Sequence, residues 1–295
     1  LDRYTGILTG AFTALSAFFL CSEYEKKHAV LRTYRVESEA LPASFDGLKV
    51  LFLSDLHNNH LGRKNERLIR IIEDARPDIL LFGGDMITAK AWSKRDFSGL
   101  EEILRAFAGR IPMYYGNGNH ESRIRTERDS YPDWYPAFKR LLKTYGVRHL
   151  MNSTEKIVRG EDTIRISGID FTAKCYLAGA KRPLEKGYIE KRLGPKDGDY
   201  HIVLAHSPLY LHEFSEWGAD LVLCGHFHGG TIRLPGLGGV MTPQFQFFNK
   251  YCKGMYTEGP ATQITSGGLG THSINIRIMN RPEAVLIRLG RKESL

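Results

Sequence analysis

The chain has 295 residues, 42% hydrophobic and 25% charged, proportions that exclude disorder over most of its length and suit one large domain or two small ones. Lysine and arginine number 41 against 33 acids, a formal charge of +8 that favours anionic partners: phosphorylated molecules, nucleic acid or an anionic membrane surface. Cys21, Cys175, Cys224 and Cys252 form no CxxC pair, which excludes a zinc ribbon or dithiol redox motif and predicts buried free thiols.

Residues 6–21 (GILTGAFTALSAFFLC) form an uncharged apolar run, flanked by Asp2 and Arg3 before it and by Glu23, Glu25, Lys26 and Lys27 after it. About 20 apolar residues are needed for a full span, so the run predicts a short membrane anchor or a signal-like segment over residues 1–27. The flanking charges are too balanced to set an orientation. Residues 28–47 read as a linker with an edge strand at 34–38 (YRVES). The main domain is expected over 48–295.

It opens with a short apolar run at 49–54 (KVLFLS), a buried strand. Residues 63–76 place Leu68, Ile69, Ile71, Ile72 and Ala75 at helical spacing, and Pro77 stops them. A strand at 78–82, a helix at 97–108, a strand at 113–115 and a helix at 134–145 follow. Further strands are expected at 163–169, 200–204, 221–223, 261–266 and 284–289. The pattern is α/β in the first half and β-rich in the second.

Metal-ligating residue types recur where these strands end. Residues 54–57 supply Asp55 and His57, residues 83–85 supply Asp85, and residues 118–121 supply Asn119 and His120. His206 follows a later strand, and residues 225–228 supply His226 and His228. Ligands bind beyond the carboxyl ends of strands in open α/β sheets, and buried Asp and His are costly unless paired or metal-bound. In an extended chain residues i and i+2 point the same way, so Asp55 with His57, and His226 with His228, are expected to converge. Mixed imidazole, carboxylate and amide donors suit Zn, Fe or Mn. Two such ions roughly 3.5–4 Å apart polarise a phosphoryl oxygen and activate water.

D-x-H, G-D, G-N-H-E, H and G-H-x-H, in that order, closely resemble the signature of the calcineurin-like metallophosphoesterases, over about residues 48–289. The sequence GHFHGGTIRLPGLGG, together with the apolar N-terminal run, resembles a bacterial membrane-associated phosphodiesterase branch. The resemblance implies a four-layer α-β-β-α sandwich of two mixed sheets. It implies two divalent transition-metal ions (Mn, Fe or Zn), one held by Asp55, His57 and His228, the other by Asn119, His206 and His226, with Asp85 between them. His120 would stand just outside, stabilising the phosphoryl group or protonating the leaving oxygen. The protein Ser/Thr phosphatases of the superfamily carry a further aspartate where Thr88 stands here. Its absence argues against that role and leaves the group that orients His120 unassigned.

The expected activity is hydrolysis of a phosphate ester or anhydride bond in a phosphorylated small molecule or lipid, at the membrane. Alternatives are a pyrophosphohydrolase of a nucleotide-linked lipid or envelope precursor, a nuclease or cyclic-nucleotide phosphodiesterase, and a non-catalytic metal-binding scaffold. The chain shows no aromatic and basic stacking platform, which argues against nucleic acid, and its complete ligand set argues against the scaffold. Surface or packing roles are expected for His28, His60, His149, His201, His212 and His272. A solvated loop is expected for Arg123, Arg125 and Arg128, and residues 231–256 read equally as a lid, a lipid-facing rim or a packed loop.

Overall fold

The computed structural model describes residues 2–179, 181–271 and 274–292; Leu1 and His272 lie outside them. The first helix, α1 (Asp2–Lys27), leads into β1 (Val30–Ser38) and β2 (Lys49–Leu53). There follow α2 (Glu66–Ala75), β3 (Ile79–Phe82), α3 (Ser98–Phe107), β4 (Met113–Gly116), α4 (Asn119–Thr126), α5 (Trp134–Thr144) and β5 (Arg148–Leu150). The second half contains β6 (Ser153–Arg159), β7 (Asp162–Ile169), α6 (Glu190–Leu193), β8 (Tyr200–Ala205), α7 (Leu211–Trp217) and β9 (Leu221–Cys224). It ends with β10 (Arg233–Leu234), β11 (Gly238–Gly239), β12 (Gly254–Glu258), β13 (Ala261–Thr265) and β14 (Glu283–Arg291).

Two six-stranded mixed sheets result, in the orders β1-β14-β2-β3-β4-β5 and β12-β13-β9-β8-β7-β6. Strands β2 to β5 run parallel, as do β13, β9, β8 and β7. The uniformly apolar runs follow from burial on both faces. In β2, Val50 and Phe52 point between the sheets while Leu51 and Leu53 point to the helices, and β3 divides Ile79 and Leu81 from Leu80 and Phe82 in the same way. Ile202, Leu204, Leu221 and Leu223 meet Val50 and Phe52 from the second sheet. Leu68 and Ile72 of α2, Leu104 of α3 and Phe138 of α5 cover the outer face of the first sheet. Phe171, Tyr188, Tyr210 and Phe214 cover that of the second. The layers are therefore α-β-β-α, as the family resemblance implied.

Among the elements that escaped the sequence pattern, two did so for identifiable reasons. Strand β6 (STEKIVR) is an exposed edge paired antiparallel to β7, and its charges are what keep such an edge from pairing further. Helix α4 begins at Asn119, inside a motif that reads as a loop. Cys175, Cys224 and Cys252 are buried free thiols, whereas Cys21 is free but exposed on α1, a departure from the expected burial.

Candidate metal centre

The site lies at the carboxyl ends of β2, β3, β4, β8 and β9, where the two sheets deliver their last residues side by side. Asp55, Asp85, His120 and His206 are almost wholly buried, and His57, His226 and His228 are nearly so. Three groups have mutually close ligand atoms, all within 4.8 Å of one another: Asp55–His57–His228, Asp85–His206–His226 and His57–Asp85–His120. Asn119 Oδ1 is also buried and has no hydrogen-bond partner.

The distances show how the groups meet. His57 Nε2 lies 3.1 Å from His228 Nε2, and His228 Nε2 lies 3.5 Å from Asp55 Oδ1. Asp85 Oδ2 faces both halves of the site, 3.8 Å from His57 Nε2 and 3.2 Å from His206 Nε2. The Nδ1–H of His206 can donate to the Gly83 carbonyl (2.7 Å) and that of His228 to the Gly270 carbonyl (3.1 Å). In each ring that leaves Nε2 as the nitrogen able to ligate a metal, with the outer support usual for a metal-bound imidazole. A lone pair aimed at a carboxylate is repulsive unless a proton or a cation lies between them. The donor set, the orphaned Asn119 oxygen and these supports fit divalent cations.

The charges respond accordingly. Burial pushes the Asp55 carboxyl up to about 6, opposed by His206 and reinforced by Asp85. Burial also raises Asp85, but the imidazoles of His206 and His120 outweigh it and hold this carboxyl well below the usual range. His206 is carried up to about 10, because Asp85 and Asp55 overcome the burial that would lower it. Burial holds His120 below the ordinary imidazole value.

Convergence does not come from extended chain, contrary to the expectation from i, i+2 alternation. Asp55 (φ 56°), His57 (φ 51°), Asp85 (φ 52°), His226 (φ 67°) and His228 (φ 49°) all occupy the left-handed region. This region is rare for residues other than glycine and costs free energy that the surroundings must offset. The offset is visible: the N–H groups of Asp55, His57 and Asn58 donate to the carbonyls of Gly84, Asp85 and Met86, extending the β2–β3 pairing into the loops. The Asp55 carboxylate accepts from the His226 N–H (2.9 Å) and from Ser54 Oγ (2.5 Å).

The group that orients His120 is the backbone of Ala89. Its N–H lies 2.8 Å and its carbonyl 3.0 Å from His120 Nδ1, so it offers a donor to the neutral ring and an acceptor to the protonated one. Arg123 donates to the same carbonyl (2.7 Å), and Arg125 pairs with Asp170 (2.7 Å), so these two are tied down rather than solvated. His60 pairs with Glu102 (2.9 Å), a packing role.

Three further residues were given no role by the sequence, although Glu121 closes the G-N-H-E motif. Glu121 accepts from the N–H groups of Asp85, Met86 and Gly118 and from the Tyr115 hydroxyl, joining the Asp85 loop to the start of α4. Arg277 is buried and donates to the carbonyls of Gly267, Gly268 and Gly270, fixing the loop that receives His228. The Tyr176 ring lies 4.9 Å from that of His226, with its hydroxyl buried.

Close approach makes one glycine pair irreplaceable. Gly84 (φ +88°) lies against the backbone of Gly118, and a Cβ on Gly118 would strike Asp85 Oδ1 and the Asp85 nitrogen. Gly118→Ala should therefore displace Asp85, lowering both metal content and turnover while far-ultraviolet circular dichroism stays native. Unchanged metal stoichiometry would mean that Asp85 does not need this close packing.

The family described as Calcineurin-like phosphoesterase matches residues 48–230. The chain is similar to the uncharacterized metallophosphoesterase YkoQ of Bacillus subtilis (strain 168), 28% identical over 95% of this chain and 97% of that one. It is likewise similar to the phosphodiesterase YaeI of Escherichia coli (strain K12), 28% identical over 82% of each. A transmembrane protein with metallophosphoesterase domain from Danio rerio is 30% identical over 85% of this chain and 55% of its own length. With that match over most of the chain, and buried groups able to hold metal where the motifs stand, this protein belongs to the calcineurin-like metallophosphoesterase family and is a hydrolase of phosphoric esters.

Proposed function

We propose that the chain is a dinuclear phosphodiesterase in which Asp55, His57 and His228 hold one divalent cation, Asn119, His206 and His226 the other, and Asp85 both. The observation that carries this is Asp85 Oδ2, which faces His57 of one set (3.8 Å) and His206 of the other (3.2 Å) and lies closer to both than Asp55 Oδ1 does (4.0 and 3.7 Å). When bound, the cations, of the Mn, Fe or Zn type, supply Lewis acidity toward a phosphoryl oxygen and lower the pKa of water. The chain's own residues do the rest. Asp55 and Asp85 keep negative charge in the centre, while Gly83 and Gly270 carbonyls hold the imidazoles in register. His120, braced by Ala89, protonates the leaving oxygen or stabilises the transferring phosphoryl group. Preference for a diester over a monoester is supported by the Escherichia coli relative, which is named a phosphodiesterase.

The helix α1 supports a membrane setting for a phosphorylated small molecule or lipid. Residues 4–27 are long and apolar enough, by length and composition, to cross a membrane, and almost none of this stretch is buried. A nucleotide-linked lipid with a pyrophosphate bond is the more specific form of the same proposal.

Elemental mass spectrometry should find about two transition-metal ions per chain, as a two-metal centre requires. Chelation should abolish hydrolysis of bis-p-nitrophenyl phosphate, and Mn²⁺ should restore it. It should also lower the thermal midpoint, because a cation that binds only the folded state stabilises it. Folded protein reconstituted with Mn²⁺, Fe²⁺ and Zn²⁺ that neither retains metal nor cleaves the diester or p-nitrophenyl phosphate would remove the proposal.

A further inference from the structure

Beside the metal centre lies an apolar slot, and one of its walls carries α1. His228 is part of its lining. Met241, Pro243 and Phe245 line one side, and Ile274 and Ile276 line the other. The second side is where α1 is fastened: Ser22 Oγ accepts from the Arg277 N–H (3.0 Å), and the Glu25 carboxylate accepts from the N–H groups of Met279 and Asn280 (2.8 and 2.7 Å). The apolar run of α1 ends at Cys21, one residue before this attachment. A bilayer holding α1 would therefore have its surface at the level of the slot.

The rim around the slot is apolar by construction. Leu237, Phe245, Phe247, Phe248 and Met279 each expose more than half of their surface. Phe245 (φ 57°), Phe248 (φ 51°) and Met279 (φ 53°) sit in the left-handed region, where bulky side chains are seldom found. The alternating glutamines explain how the loop holds this shape. Gln244 donates to the carbonyls of Cys175 and Leu177, and Gln246 to that of Gly179, so the amides turn inward and the intervening phenylalanines outward. Exposed apolar patches of this kind mark interaction surfaces.

Charge selects the occupant. No Asp or Glu occurs from residue 226 to 257, nor from 271 to 282, and Arg281 is exposed there, whereas Lys250 lies beside Glu258 in a separate cleft. An apolar rim with no acid of its own, where Glu25 of α1 is turned onto backbone N–H groups and Arg281 is exposed, continuous with an apolar helix, suits an anionic lipid surface.

We infer that the rim formed by residues 234–248 and 274–279 docks into the headgroup and upper acyl region of an anionic bilayer, with the slot receiving one hydrocarbon chain beside His228. The inference rests on the reading of α1 as a membrane anchor, and its test separates the two. Full-length protein is prepared with Phe247→Cys, Phe12→Cys or Val158→Cys, each with Cys21→Ser, labelled with a nitroxide and reconstituted into phosphatidylcholine–phosphatidylglycerol vesicles. The three remaining native thiols are buried, Phe12 lies on α1, and Val158 is exposed on β6 at a sheet edge. Metal content confirms that each labelled chain is folded.

The expected result is a ratio of oxygen to nickel-chelate accessibility at F247C that approaches that of F12C and stands severalfold above that of V158C. A water-like ratio at F247C with a membrane-like ratio at F12C overturns the docking surface and leaves the anchor intact. Water-like ratios at both positions overturn both. Shielding of F247C from oxygen and nickel alike means that protein, a second copy or a partner, covers the rim, which also overturns the proposal.

Discussion

Asp85→Asn should reduce hydrolysis of bis-p-nitrophenyl phosphate by about 10³-fold or more, the equivalent of roughly 4 kcal/mol of transition-state stabilisation. The substitution is nearly isosteric. Asn Oδ1 can still accept the His120 N–H that Asp85 Oδ1 accepts at 2.9 Å, so the backbone at the start of α4 should hold. What changes is the other atom. An amide NH₂ in place of Oδ2 presents donors to His57 and His206, where the wild-type oxygen presents a lone pair to both sides of the site. Metal content should fall with activity, because the carboxylate proposed to serve both sets is lost. Fully retained metal in D85N with lost turnover would make Asp85 an electrostatic partner of the histidines and remove its bridging role.

His120→Ala should lower kcat by about 10²–10⁴-fold, the usual range for a positioned acid–base group, with metal content close to wild type. The two roles open to His120 separate by leaving group. p-Nitrophenolate leaves readily without a proton, so a general acid would matter little for it and much for an alkyl phosphodiester. A phosphoryl-stabilising group would matter equally for both. The structure adds a third outcome, since one His120 nitrogen lies within 4.8 Å of the ligand atoms of His57 and Asp85. If H120A loses metal in step with activity, His120 is itself a ligand.

The buried strands were legible because each is apolar on both faces and bounded by turn residues. β2, β3, β8 and β9 differ from expectation by only a residue or two at their ends. The motif residues were legible as a set, because carboxylates, imidazoles and an amide are costly to bury at five separate strand ends without a common purpose. Less legible was the exposed β6, whose charges hide its pairing, and α4, whose first turn is fixed by Glu121 rather than by periodicity.

Residue chemistry and periodicity are local properties, and by themselves they determined the buried strands, the order of candidate ligands along the chain and the kind of ion such donors suit. Backbone conformation and hydrogen-bond partners depend on what lies opposite, and only the tertiary structure decided them. The D-x-H and H-x-H pairs converge through left-handed turns rather than through extended alternation, because loops from neighbouring strands hold them there. His206 is oriented by Gly83, 123 residues away, and His120 by the Ala89 backbone, whose donor and acceptor would be the same for any side chain at that position. A carbonyl leaves no trace in residue type, and so the supports of the centre, unlike its candidate ligands, could not be read from the sequence.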